Sequence, residues 1–555
     1  MSNFTKIFGL AGALVVFTGL ANAQSVCTAA APATNIIRVE GTTEQVAPIV
    51  INCAGGGGAG TLSLQVFLSP SLPITSKVLN TSTGATEATA TVSGGGGVVT
   101  GTVSGSTLNF SGIATNGGGF TVTVTNVRVN ATSVAVGSGV PPTVSATAFI
   151  SGSAGTITPA ALSFSNIAFV QNGLGAAKIF KTFTVNNPAA PALPVVFPTG
   201  AAGTSGANNF VICNGFSPKA DGLALAPAQG SSQAAGKSLA FVVQINENFA
   251  AAFKKTADEA SQTVQGANAV VEGTRLAVNF TNVPANVTLY VPVGVINSQA
   301  GAGGIQLTNS APGTAAAVVA ASGSSSVNGL ALAAVAISSG SGTATFEVVN
   351  DDLNSLDSYN VPVFIVTSAN AVAGSSTPIS VSVNFAPVGS TVIPNFAITG
   401  STTTLTGTTF NLCTTSLLFP FVTNQVGFDT GIAISNTSTD PFGGSGATAQ
   451  AGTCTLNFYG AGAPSPSNVV SPNVPSGTTY ATVLSSVAAG FQGYIIAQCG
   501  FQYAHGFAFI TDGVGVNGGL SQGYLAGIIP DTNQTPRGAN PLSVAAAGTG
   551  ETLGN

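Results

Sequence analysis

Only 5% of the 555 residues are Asp, Glu, Lys or Arg, while 45% are hydrophobic; an ordinary soluble domain carries about a quarter charged residues. A chain so poor in charge must make its water-facing surface from Thr, Ser, Asn, Gln and backbone amides. These groups hydrate without changing with pH and suit a protein that works outside the cell. The feature points to a β-rich exoprotein.

Export is written into the first residues. Met1 to Ala23 has the three parts of a secretory signal: a short n-region with Lys6, an apolar stretch from Ile7 to Leu20, and the small-residue site Ala21-Asn22-Ala23 before Gln24. A membrane anchor would need about 20 apolar residues without a cleavage site. Lipidation at Cys27 is disfavoured by the bulky Val26 before it. Cleavage leaves 17 acidic side chains against 11 basic ones (12 less Lys6), a net charge of −6. No basic patch is visible, so nucleic acid and anionic lipid are poor partners. No second membrane segment follows. An outer-membrane barrel fits poorly with a chain of no Trp and seven Tyr, since barrels carry aromatic girdles.

Six cysteines in an exported chain imply disulfides, with 15 pairings open. Proximity in sequence favours Cys27 with Cys53 and Cys454 with Cys499, leaving Cys213 and Cys413 as a longer link. Metal binding would need a different set, because there is no CxxC pair and only one histidine.

Strand signals dominate. Residues Thr121 to Val129 alternate polar residues with Val over much of their length, the period of a half-buried strand. Val361 to Val366, Ile379 to Phe385 and Leu276 to Phe280 repeat the pattern. The expected fold is all-β, with tandem antiparallel β-sandwich (Ig-like) modules and one helix. That helix is expected from Asn246 to about Gln262, with Asn248 as N-cap and Phe249, Ala250, Phe253 and Ala257 on its apolar side. Lys254, Lys255, Asp258 and Glu259 form a solvated face. Composition divides the chain into a signal peptide (1–23), a Gly/Thr-rich β domain (24–155), a middle β region (156–400), a C-terminal sandwich (401–536) and a flexible tail (537–555). The passage from Ala300 to Gly342 reads equally as loop or weak strands.

Candidate chemistry is thin. His505 is the one imidazole, and its parity within residues 491 to 511 places it on the apolar, core-facing side between Tyr503 and Phe507. Gly519-Leu520-Ser521-Gln522-Gly523 matches a G-x-S-x-G string, but no helix pattern follows and His505 precedes the serine. A spatial cluster of His505, Asp512 and Ser521 is the arrangement that a hydrolase would need. Asp351, Asp352 and Asp357 could offer oxygen ligands to Ca²⁺, although their spacing departs from an EF-hand loop and suits turns instead. No other cofactor is suggested.

Several stretches resemble a family of large secreted, β-rich acidobacterial proteins of unknown function. They include Ile37-Arg38-Val39-Glu40-Gly41, Thr125-Asn126-Val127-Arg128-Val129-Asn130-Ala131 and Gly273-Thr274-Arg275-Leu276. In the C-terminal part they are Leu418 to Gln425, Gly427 to Asn436, and Gly490 to Tyr494 through Tyr503 to Ile510. The resemblance implies no activity or catalytic residue. The reading is a non-enzymatic extracellular or cell-surface structural or adhesive protein, associating with itself or with surface and matrix components. The alternatives are a secreted hydrolase or carbohydrate-binding accessory, and a parallel β-helix adhesin.

Overall fold

The computed structural model describes residues 24–529 apart from 32, 56–57, 95–96, 154–155, 181, 187–194, 200–208, 213–237, 261–269, 286, 300–301, 315–316, 318, 322–325, 328–329, 368–376, 398–403, 413, 440–448, 502 and 514–518. The signal segment, the tail 537–555, Cys213 and Cys413 lie outside the described residues. The fold is all-β. Among the described residues helix is limited to two single turns, Thr256–Glu259 and Leu484–Val487.

The first unit is one twelve-stranded sheet running from Gln24–Ala29 to Ala161–Gln171. Most neighbours are antiparallel, but Gln24–Ala29 pairs in parallel with Thr156–Thr158, and Ala161–Gln171 with Asn35–Arg38. The sheet surrounds a core in which Ile49, Ile51, Leu62, Leu64, Val66, Val122 and Val124 alternate inward. The strand expected over Thr121 to Val129 is split. Phe120–Thr125 joins the large sheet, Asn126 takes φ +57, and Arg128–Val129 pairs with Glu44–Gln45 instead. Gly94 and Gly97, both at positive φ, flank the tip joining Ala85–Val92 to Val98–Ser104, where L side chains would be strained. These antiparallel hairpins overturn the β-helix alternative, which needs parallel coils.

The middle unit packs a six-stranded sheet on a seven-stranded sheet around one core. Val243, Val361 and Val363 come from the first, and Leu276, Val278, Val381 and Val383 from the second. The ambiguous passage from Ala300 to Gly342 contributes strands to both, Leu330–Ala334 and Gly304–Leu307. The C-terminal unit faces a five-stranded sheet with a four-stranded one, again around one core.

Of the helix expected from Asn246 to about Gln262, the described residues form one turn, Thr256–Glu259. Asn246 ends the strand Ser238–Asn246, and the Asn248 side chain donates to the Asn172 carbonyl at 2.9 Å instead of capping a helix. Ala251 takes φ +69, so helix is confined to Thr256–Glu259. The physical reason is charge: Glu259, expected on the solvated face, is buried against Arg38, and Glu247, outside that face, is buried too, while Lys254, Lys255 and Asp258 stay partly exposed.

Candidate functional site

All three arginines among the described residues, Arg38, Arg128 and Arg275, are 2% exposed. Buried charge is costly unless it is paired and hydrogen-bonded, and here it is. Arg38 of the first unit meets Glu44 at 2.8 Å and reaches into the middle unit, where Nη2 meets Glu259 at 2.9 Å. Its Nη1 donates to the Ala252 carbonyl (2.9 Å) and to Thr274 Oγ1 (2.8 Å). The guanidinium carbon lies 4.9 Å from the centre of the Phe396 ring, a cation–π contact. Arg128 pairs with Glu87 at 3.2 Å and donates through Nη2 to the Glu259 carbonyl at 3.0 Å. Burial works against the Arg38 charge, but Glu259 and Glu44 outweigh it and raise its pKa. Burial likewise pushes the Glu259 carboxyl up, and Arg38, Lys254 and Arg128 together bring it below its ordinary value. Arg275 plays a parallel role inside the middle unit, between Glu272 and Glu347 at 2.9 Å each. Arg38 and Arg128 thus tie the first β unit to the middle one.

The proposed catalytic cluster is not assembled. His505 and Ser521 are tied to opposite ends of one strand: His505 pairs with Ser435, while Ser521 pairs with Thr511, six residues further along Ala504–Thr511. At about 3.3 Å per residue they are roughly 20 Å apart. Asp512 does lie beside Ser521, its N–H donating to the Leu520 carbonyl at 3.1 Å. Ser521 opens the exposed strand Ser521–Leu525, and another strand, Gly527–Ile529, follows it. The parity expected for His505 is also corrected. Odd positions face the core through Cys499 and Tyr503, but Tyr503 takes φ +58 as the chain crosses to the other sheet. In Ala504–Thr511 the even positions Ala504, Gly506 and Ala508 turn inward, leaving Phe507 and Phe509 exposed and His505 half-buried.

The three middle-region aspartates do not form a shared carboxylate cluster among the described residues either. Asp351 accepts from Lys255 Nζ at 2.6 Å. Asp352 closes a turn by accepting from the Asn354 N–H (3.0 Å) and Ser355 Oγ (2.7 Å). Asp357 is buried, its Oδ2 accepting from the Tyr359 hydroxyl at 3.1 Å. Two of the expected disulfides fall on described residues, and both are formed. Each joins directly paired neighbouring strands, Cys27–Cys53 with Cα atoms 4.0 Å apart and Cys454–Cys499 at 3.9 Å.

A candidate binding site lies at the tip of the C-terminal sandwich, where Thr415–Thr423 turns into Asp429–Asn436. Val426 and Gly427 occupy successive left-handed positions, φ +56 and +82, of a turn between the two sheets, where Asn or Gly is the usual residue. Val426 is 91% exposed. The turn is nonetheless firmly held. Asn424 Nδ2 donates to Asp429 Oδ1 (3.1 Å), the Gly490 N–H donates to Asn424 Oδ1 (2.8 Å), and Gln425 Nε2 donates to the Gly490 carbonyl (2.8 Å). Asp429 also accepts from the Ser485 N–H (3.0 Å) and hydroxyl (2.5 Å). On one side of this turn is a cleft of about 550 Å³, walled by Phe421, Phe428, Ile510 and Leu520, with Gln425 and Gln522 at its edge. On the other is a second hollow of about 590 Å³ that includes Phe509, Asp429 and Asp512. Among the described residues no ionisable side chain lines the first cleft, so it suits a neutral ligand that offers apolar surface and amide or hydroxyl groups. The sequence reading missed this site apart from Ser521. Its one signal was a β-branched residue before glycine between two strand patterns.

No protein-family model matches the chain, and no curated protein matches it. Among solved structures the chain is similar to the C-terminal domain of the Streptococcus agalactiae AgI/II polypeptide BspA. The identity is 6% and the TM-score 0.23, over 69% of this chain and 99% of that one. It is similar to the major pilin subunit of Bacillus cereus at 9% identity and a TM-score of 0.19, over 80% of this chain and 88% of that one. A backbone pilin of Streptococcus pyogenes gives 9% and 0.19, over 92% of this chain and 81% of that one. Likeness at this level leaves the chain's role to be read from its own residues.

Proposed function

We propose that this chain is an exported, non-enzymatic structural or adhesive protein of the cell surface, with the tip of its C-terminal sandwich as a contact end. The observation that carries the reading is the burial of charge. Arg38, Arg128 and Arg275 with Glu44, Glu87, Glu259, Glu272 and Glu347 are all inside, so a surface already poor in charge is left close to neutral. Such a surface meets other neutral surfaces with little Coulombic repulsion. The two formed disulfides favour an oxidising compartment. The distance of roughly 20 Å from His505 to Ser521 and its neighbour Asp512 speaks against the hydrolase alternative. Membership of the acidobacterial secreted family is part of the proposal, and three of the stretches on which it rests each contain a buried arginine.

Cell fractionation tests the compartment: the chain should be found outside the cytoplasm, beginning at Gln24, without free thiols. Recovery from the cytosol with reduced cysteines contradicts it. Retention of the purified protein on a phenyl resin tests the contact end. Val426→Asp and Leu520→Asp should each reduce retention, and retention unchanged in both variants removes the tip from the proposal.

A further inference from the structure

Strands at the ends of sheets are usually blunted by charge, proline, a bulge or shortness, because they otherwise pair with other chains. Most end strands here have such a device. Asn468–Val470 lies between Pro466 and Pro472. Thr156–Thr158, Lys178–Phe180 and Gly527–Ile529 have three residues each. Asn35–Arg38 ends in the buried arginine of the interdomain lock. Ser521–Leu525 runs through Ala526 directly into Gly527–Ile529 of the facing sheet, so the chain itself spans that side of the sandwich.

Thr479–Val483 is different. It ends the four-stranded sheet, pairing with Asp429–Asn436 in regular register without a bulge, and its five residues include no charge and no proline. Tyr480, on its core side, packs against the C-terminal core yet is only partly buried. On its outer side, direct cross-strand pairing lines up Ala481, Ala433, Phe507 and Leu525, with Phe507 41% and Leu525 59% exposed. Val483, Gly431 and Phe509 form a second such row.

We propose that this edge pairs antiparallel with the same edge of a second copy, about a two-fold axis at Ala481. Tyr480 then faces Thr482 of the other copy, Thr479 faces Val483, and the two four-stranded sheets become one of eight strands. The apolar row from Leu525 to Ala481 continues through the axis into its counterpart. A second copy fits because the strand is self-complementary about its central alanine and brings no like charges into opposition. An isologous pairing also closes on itself. This pairing does not depend on where the protein is located, so it can fail or stand apart from the proposed export.

Sedimentation velocity of the disulfide-bonded mature chain over a concentration series tests it. The native protein should show a reversible monomer–dimer equilibrium. Ala481 is exposed on the outer face, so Ala481→Lys and Ala481→Glu should each keep the native melting transition while weakening association severalfold or more. Mixing the two variants should restore it, because opposite charges then meet across the axis. Asn468→Lys, exposed on an edge strand of the facing sheet, should leave association unchanged. A native protein that is monomeric throughout, variants that associate normally, or loss of association only in Asn468→Lys overturns the proposal.

Discussion

The first two units and the C-terminal sandwich solve the shortage of charge in opposite ways. The first two place arginines in their interiors and pair them with glutamates, and one of them, Arg38, joins the first unit to the middle one. The C-terminal unit, residues 401–536, has no Lys, Arg or Glu at all; its charges are Asp429, Asp440, Asp512 and Asp531. It relies on an apolar core, the Cys454–Cys499 bridge and neutral side-chain hydrogen bonds. The difference teaches that ionic side chains here join and brace the first two β units, while the C-terminal unit is held without any Lys or Arg side chain.

The comparison breaks most sharply at Arg38. Arg38→Met leaves Glu44 and Glu259 buried without their partner, and unpaired buried charge of this kind costs about 3–5 kcal/mol. Denaturant unfolding should show the loss in the transition of the first two units, with that of the C-terminal sandwich unmoved. The converse variant, Cys454→Ser with Cys499→Ser, should lower only the C-terminal transition, by about 3–4 kcal/mol for a closed loop of this size. Equal shifts of both transitions in either variant would show that the units unfold as one.

Acid–base behaviour sharpens the contrast further. Burial is the main reason that the Glu247 carboxyl is pushed up from 4.5 to about 7, against backbone N–H bonds from Asp357 and Phe253 that favour its charge. Between those two values the folded middle unit holds a proton that the unfolded chain has already released. Its stability therefore falls as pH rises through that window, by about 3 kcal/mol in all. Glu247→Gln should flatten this dependence, and a melting temperature of the middle unit that does not fall between pH 4.5 and 7 in the native protein would contradict it. The smallest effect is expected at the tip. Val426→Asn relieves a left-handed valine and should raise C-terminal stability by about 1 kcal/mol, read from the midpoint of its unfolding transition.

Much of the fold was legible because it rests on local regularities. Period-two alternation located Arg275–Thr281, Ser358–Thr367 and Ser380–Ala386, and nearness in sequence picked out two disulfides whose cysteines sit on neighbouring strands. What was not legible depends on partners elsewhere in the chain. Apolar spacing after Asn246 imitated a helix, but Glu247 answers to backbone amides of Phe253 and Asp357 and Glu259 to Arg38. Parity failed at His505 because a single left-handed residue, Tyr503, reverses which face looks inward. A signal for the lock was present and unused: Arg38 and Arg128 each stand beside apolar residues in strands without a neighbouring basic residue.

A double-mutant cycle between Arg38→Met and Glu259→Met, followed by denaturant unfolding of the first two units, tests the central claim most directly. If buried ion pairs hold those units together, each single change is strongly destabilising and the double variant loses far less than the sum of the two. Small, additive losses would show that the two side chains do not act on each other and that the lock between the units is not ionic.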